Sequence, residues 1–261
     1  MTIVLVHGNP ETASIWDLLI ARLAESGQTD VVRLSPPGFG APVPDSFDAT
    51  VTGYRDWLID ELERIGRPVD LVGHDWGGGH TVNVAMTRPD LLRSWCSDTV
   101  GVLDPDYAWH PAARAWQWEG PGEVVIRKAM TARPGRITHA ALMRLFRLLG
   151  VDPTVARKVA QGYDREMGAC ILRLYRSARQ PAMARLGANL EAAAARPGLA
   201  ILATKDHLVG SDEQRRRSAA RAGARVEVLD GLGHFWMAED DGRRAADALV
   251  RFWASLPFDP S

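Results

Sequence analysis

The chain is poor in cysteine. Cys96 and Cys170, far apart in sequence, are the only two among 261 residues. That excludes a disulfide framework and zinc-ligand spacing, and it favours a reduced, cytoplasmic setting. Charge of one sign is also missing. With 31 Lys and Arg against 32 Asp and Glu, the net charge is −1, which gives no electrostatic case for nucleic acid or an anionic membrane. No apolar run approaches the ~20 residues that cross a bilayer. The first residues, Met1 to Val6, carry no basic segment and no small-residue cleavage site, so they read as a strand and not a signal peptide. Internal repeats and low-complexity tracts are absent. What remains is a 46% hydrophobic chain, enough for a sizeable core, with a length that suits one large domain or a domain with an inserted lid.

Short apolar runs alternate with helical spacing. Thr2 to Val6, Val31 to Leu34, Val69 to Val72, Arg93 to Thr99, Leu199 to Ala203 and Val226 to Leu229 read as strands. Between and after them, helices are expected around Trp16 to Ala24, Tyr54 to Ile65, His80 to Met86, Asp212 to Arg221 and Asp240 to Ala254. Such alternation predicts an α/β fold, a parallel sheet of about six strands with helices on both faces. The stretch from Leu103 to about Pro197 is different. It reads as helices only, broken at Pro111, Gly120-Pro121-Gly122, Pro134-Gly135, Gly150 and Pro153. Inserted after the fourth strand, it would lie over the strand C-terminal ends, where open α/β sheets place their ligands. The expected division is a core of 1–102 and 197–261 with a helical cap of 103–196.

The chain is organised around Leu71-Val72-Gly73-His74-Asp75-Trp76-Gly77-Gly78-Gly79, a strand, a tight turn and a helix start. Gly73-His74-Asp75-Trp76-Gly77 has the form Gly-x-Asp-x-Gly, the nucleophile-elbow pattern with aspartate where most hydrolases carry serine. A plainer reading is a glycine-rich turn whose Asp75 caps the following helix. Two more placements weigh against it. Asp206 follows the fifth strand and His234 follows the sixth. The order nucleophile, acid, histidine is that of an α/β-hydrolase triad. A carboxylate nucleophile also restricts the chemistry. Attack on an ester would give an anhydride, whereas attack on a saturated carbon displaces a leaving group and leaves an alkyl ester on the enzyme.

These residues resemble the aspartate-nucleophile branch of the α/β-hydrolase fold, the epoxide hydrolases and haloalkane dehalogenases, over nearly the whole chain outside the lid. His7-Gly8-Asn9-Pro10 with Trp16 is similar to their His-Gly-x-Pro oxyanion loop, Gly73 to Gly78 to the epoxide hydrolase elbow, and Gly233-His234-Phe235-Trp236 to the histidine loop. The resemblance implies Asp75 as nucleophile, His234 as base, Asp206 as its orienter, and the backbone N–H groups of Asn9 and Trp76 as oxyanion hole. It also implies a cis Asn9–Pro10 bond, a small apolar organic substrate, and neither cofactor nor metal. Leu174-Tyr175-Arg176-Ser177 is similar to the epoxide hydrolase segment carrying a lid tyrosine, so Tyr175 inherits the role of acid toward the leaving oxygen.

Other positions point toward the dehalogenases. Tryptophan stands in Trp116-Gln117-Trp118 where a second lid tyrosine is expected, and Tyr107 is a distant substitute. Asn9 with Trp76 is the dehalogenase pair that holds a halide. Trp109, Trp116 and Trp118 are candidate pocket residues, with lid packing as the alternative. Asp98 is a reserve triad acid behind Asp206. His74 and His80 read as structural, and Arg136, Arg144 and Arg147 as the solvated face of a lid helix. The family usually has two further strands before the His-Gly-x-Pro strand. The sheet is therefore expected to be two strands short and wholly parallel, its edge covered by the lid or by a second copy in a homodimer. The resulting expectation is an epoxide-opening hydrolase. A haloalkane dehalogenase is the near alternative, and a non-catalytic hydrolase-fold binding protein the alternative from another class.

Overall fold

The computed structural model describes residues 1–130 and 139–257; Arg136, expected on a lid helix, lies outside them. In chain order the elements are β1 (Ile3–Val6), α1 (Asp17–Glu25), β2 (Val31–Leu34), α2 (Val51–Ile65), β3 (Val69–Gly73), α3 (Trp76–Thr87) and β4 (Leu92–Ser97). Among the described residues six α-helices follow without a strand: α4 (Pro111–Trp116), α5 (Pro121–Met130), α6 (His139–Leu148), α7 (Pro153–Gln161), α8 (Arg165–Ser177) and α9 (Ala182–Leu186). The chain then returns to β5 (Gly198–Ala203), α10 (Asp212–Arg221), β6 (Ala224–Leu229) and α11 (Arg243–Ala254).

The strands form one six-stranded sheet in the order β2-β1-β3-β4-β5-β6, every pair parallel. Side chains alternate across it, as the period of two requires. Val4 and Val6 of β1, Leu71 of β3, Trp95 of β4 and Ala200 of β5 enter one buried cluster with α2 and α3. Ile3, Leu5, Val72, Cys96, Leu199 and Ile201 enter the other with α1 and α11. Both faces are thus covered over the inner strands β1, β3 and β5, which are buried throughout and mostly apolar, while the edge strands β2 and β6 stay partly exposed. The strand order reverses between β1, whose neighbours are β2 and β3, and the run β3 to β6. Open α/β sheets bind ligands at that switch point, beyond the C-terminal ends. Asn9 follows β1 and Asp75 follows β3.

Two sequence expectations shift for physical reasons. The elbow helix starts at Trp76, well before His80, because three consecutive glycines lie inside it. A Cβ on Gly77 would land on the backbone carbonyls of Val6 and His7, and one on Gly73 would land on the Gly77 carbonyl. Close approach of helix and strand, and not flexibility, is what these glycines serve. In the helical stretch, Pro111 and Pro153 occupy first-turn positions and α5 begins at Pro121. These three prolines, which read as breaks, are helix starts, where the missing N–H costs nothing; the break at Pro134-Gly135 lies outside the described residues. Asp152 and Asp164 cap α7 and α8 by accepting from backbone N–H groups of the first turn. Arg144 and Arg147 are exposed on α6 while Phe146 between them is buried. No helix among the described residues is long and apolar enough to cross a membrane.

Candidate active site

Asp75 sits between β3 and α3 with φ of 51°, a left-handed backbone that a non-glycine residue rarely adopts. Local bonds hold it there. Its N–H donates to Asp98 Oδ1 at 3.0 Å, and Thr99 Oγ1 donates to its carbonyl at 3.0 Å. The carboxylate is gripped on one side only. Oδ1 accepts the Asn9 backbone N–H at 2.9 Å and lies 3.4 Å from Asn9 Nδ2. Oδ2 faces His234 Nε2 at 3.6 Å. Gly8 allows this approach, since a Cβ there would collide with Asp75 Oδ1 and the Trp76 backbone nitrogen. The Asn9–Pro10 bond is cis, as the His-Gly-x-Pro resemblance implied.

His234 Nδ1 lies 2.9 Å from Asp206 Oδ2, and the other Asp206 oxygen accepts the Leu208 N–H at 2.8 Å. Asp206, and not Asp98, therefore faces the ring nitrogen turned away from Asp75. Electrostatics follow from this packing. Burial works to raise the Asp206 pKa, but the charge and hydrogen bond of His234 bring it down to about 2. The same contest holds Asp75 below the ordinary carboxylate value. Burial opposes, while the neighbouring His234 imidazolium, the charge of His74 and the Asn9 N–H prevail. His234 is raised well above 6.5: burial works against its charge, and the flanking Asp206 and Asp75 carboxylates overcome it.

Tyr175, on α8, is buried over this centre. Its hydroxyl lies 3.3 Å from Asn9 Nδ2, and its ring meets the Trp76 ring edge-on with centroids 5.4 Å apart. Burial pushes its pKa well above 10, with the Asp75 charge adding to it and hydrogen bonds from Asn9 and Trp76 opposing. Asp75, Trp76, Tyr107, Trp109, His110 and Tyr175 line a cavity of about 20 Å³. Trp109 stacks on Trp76 at 5.8 Å, and Trp116 packs on Tyr175 at 4.8 Å. The buried indole N–H groups of Trp109 and Trp116 have no acceptor among the described residues. Trp118 is not part of this group. It is 57% exposed and lies under the Arg179 guanidinium. The helix α4 ends at Trp116, so the chain leaves it before Trp118, which turns outward. Tyr107 lines the cavity, but its hydroxyl donates to the Leu208 carbonyl at 2.8 Å.

A model of the alpha/beta hydrolase family matches residues 3–248. The chain belongs to that family. Among its relatives, an (E)-2-((N-methylformamido)methylene)succinate hydrolase of Acinetobacter baylyi is 28% identical over 159 residues, 60% of this chain and 55% of the relative. The chain thus matches little more than half the length of that relative. An epoxide hydrolase of Caballeronia sordidicola is 33% identical over 97 residues, 35% of this chain and 29% of its own. Among solved structures, a haloalkane dehalogenase from Bradyrhizobium elkani superposes with a TM-score of 0.69 at 21% identity, covering 97% of this chain and 91% of its own. That likeness shows the fold.

Sequence reasoning passed over Glu11. It directly follows His-Gly-Asn-Pro and is fully buried, its Oε1 3.1 Å from His74 Nε2. Its place lies in a contact with His74 that no sequence spacing marks. Glu11, His74 and His234 are also the one group among the described residues close enough to share a metal ion. Their ligand atoms already face one another, Asp98 and Asp206.

Proposed function

We propose that this alpha/beta hydrolase opens an epoxide to a diol through a covalent ester on Asp75, with residues 103–196 acting as a cap over a small apolar substrate. One observation carries the reading: the Tyr175 hydroxyl stands over the nucleophile, where the Asn9 side-chain amide meets it at 3.3 Å. The two side chains that would hold a halide, Asn9 and Trp76, both address that hydroxyl. An alkoxide leaving group needs an acid, and a halide does not.

In this mechanism Asp75 Oδ2, the oxygen without a backbone N–H, attacks an oxirane carbon. The carbon–oxygen bond breaks and the leaving oxygen takes the Tyr175 proton. Esterification removes one of the two carboxylate charges that hold a proton on His234, which releases the imidazole to serve as base. Water then attacks the ester carbonyl and gives His234 a proton. The oxyanion forms on Oδ1, against the Asn9 N–H and the Trp76 N–H, where such a donor contributes ~3–4 kcal/mol. Collapse expels the diol oxygen, which is protonated by the imidazolium; the proton that His234 gave up on esterification returns to the Tyr175 phenolate, and the second water proton passes from the new Asp75 carboxyl to His234, restoring phenol, carboxylate and imidazolium. A panel of racemic epoxides run beside bromoalkanes, scored for diol and for bromide, tests the proposal. Bromide release without diol formation would replace it with the dehalogenase reading, which the Asn9 and Trp76 pair supports.

A further inference from the structure

The loop that carries His234 runs from β6 to α11, and one side chain closes it on itself. Glu239 lies five residues beyond His234. Its Oε1 and Oε2 both accept the backbone N–H of Gly233, at 3.0 and 3.1 Å. An acidic residue just ahead of a helical turn ordinarily caps it. Glu239 makes no such bond to the turn Asp240–Gly242 that follows, and its carboxylate reaches back six residues instead. Midway along the loop, the Trp236 indole N–H donates to Asp98 Oδ2 at 2.7 Å. The His234 ring is held at Nδ1 by Asp206, which sets its direction. How far Nε2 stands from Asp75 then depends on the backbone that carries the ring, and Glu239 grips that backbone one residue before it.

The same carboxylate is packed from its other side by the helical stretch. Gly150, in the turn between α6 and α7, has φ of 91°, and a Cβ there would come within 2.9 Å of the Glu239 carboxyl carbon. The Asp152 N–H donates to the Ala238 carbonyl at 3.2 Å. Val151 is buried in one cluster with Phe235, Met237 and Ala238, and Phe146 of α6 meets Phe235 edge-on with centroids 5.2 Å apart. A cleft of about 400 Å³ opens along this seam, lined by Leu149 and Gly150 on one side and Lys205, Asp206, His234 and Glu239 on the other. Burial raises the Glu239 pKa, and the Gly233 N–H with the Lys205, His234 and Arg244 charges opposes it. We propose that Glu239 is a positioning residue for His234: its carboxylate, seated against the Gly150 turn, closes the histidine loop, sets Nε2 for the water that hydrolyses the Asp75 ester, and so couples the helical stretch to the base.

The kinetic part rests on the ester on Asp75; the placement of His234 does not. Glu239→Ala removes the acceptor, and Glu239→Gln keeps one oxygen for the Gly233 N–H. In single-turnover kinetics on an epoxide, Glu239→Ala should slow ester hydrolysis by about 10–100-fold and leave ester formation within about twofold, in line with the cost of small misplacements at a reacting centre. Glu239→Gln should recover most of that loss. Equal slowing of both steps, unchanged hydrolysis in Glu239→Ala, or no recovery in Glu239→Gln overturns the positioning role. Gly150→Ala presses a Cβ against the carboxylate from the helical side and should slow ester hydrolysis alone. Unchanged hydrolysis there overturns the coupling, and this variant decides should Glu239→Ala fail to fold. NMR of the full chain reads the placement without substrate. The His234 Nδ1 proton, bonded to Asp206, should shift in Glu239→Ala and hold its wild-type position in Glu239→Gln, and the Gly233 amide should lose its exchange protection in Glu239→Ala alone. Both signals unchanged in Glu239→Ala refute the closure. If the wild type opens no epoxide, the proposed function fails while the NMR comparison still decides whether Glu239 places His234.

Discussion

At the scale of single residues, the proposed reaction divides between two side chains that different variants separate. His234→Gln keeps Asp75 free to attack and removes the base, so the ester should accumulate. Intact-mass analysis after substrate should show a stoichiometric adduct; turnover at the wild-type rate would remove His234 from the mechanism. Tyr175→Phe should act on the other half-reaction. Loss of a placed general acid slows ester formation by ~10²–10⁴-fold, while ester hydrolysis changes little. Single-turnover kinetics on an epoxide resolves the two steps, and equal slowing of both would contradict the assignment. The tryptophans differ in the same way. Trp118→Ala, at an exposed site under Arg179, should leave turnover within about twofold, since surface changes away from special features are usually within ~0.5 kcal/mol. Trp109→Ala removes a cavity wall and should alter kcat/KM; the reverse ranking would put Trp118 back in the pocket.

At the scale of elements, the inner strands β1, β3 and β5 were legible because each is a short, mostly apolar run buried on both faces, and the elbow because glycine spacing has a steric cause. Gly77→Ala should therefore destabilise the fold by ~1–3 kcal/mol, the usual cost of forcing extra volume into a packed site, visible as a lower urea midpoint; unchanged stability would mean the strand and helix have room to part. The helical stretch was legible only as helical. Proline marks either a break or a start, and the sequence alone does not say which, because the missing N–H matters only in a helix interior. The site was legible where a residue type and its chain order carry chemistry, as for Asp75, Asp206 and His234. Glu11, Trp236 and the real partner of Asp98 were not, since their meaning lies in contacts between loops after β1, β3, β4 and β6 that no spacing encodes.

At the scale of the molecule, the sheet's switch point gathers those loops at one end, and with them a set of buried histidines whose charges differ. This sets how stability depends on pH. His74 and His234 have raised values. Each contributes stability that is fully present below the unfolded value of ~6.5 and is lost as pH rises through its folded value, about 10 for His74. His80, buried between Tyr54 and Trp76, is lowered by burial to about 3, and His7 is lowered too. Their sign is opposite: the unfolded chain takes up protons first, so their contribution is present above ~6.5 and falls as pH drops below it. Asp206, at about 2, loses its contribution only between the unfolded value of ~3.9 and that lower value. The slopes, up to ~1.4 kcal/mol per pH unit for each group, therefore oppose each other and meet near pH 6.5. Urea unfolding at pH 5, 6.5 and 9 should give the highest midpoint at pH 6.5. His80→Asn should flatten the acid side alone, because it removes a neutral buried ring and leaves His74 beside Glu11 and Asp98 untouched. A midpoint that keeps rising from pH 6.5 to pH 9 would mean that His74 and His234 carry no buried charge in the folded protein.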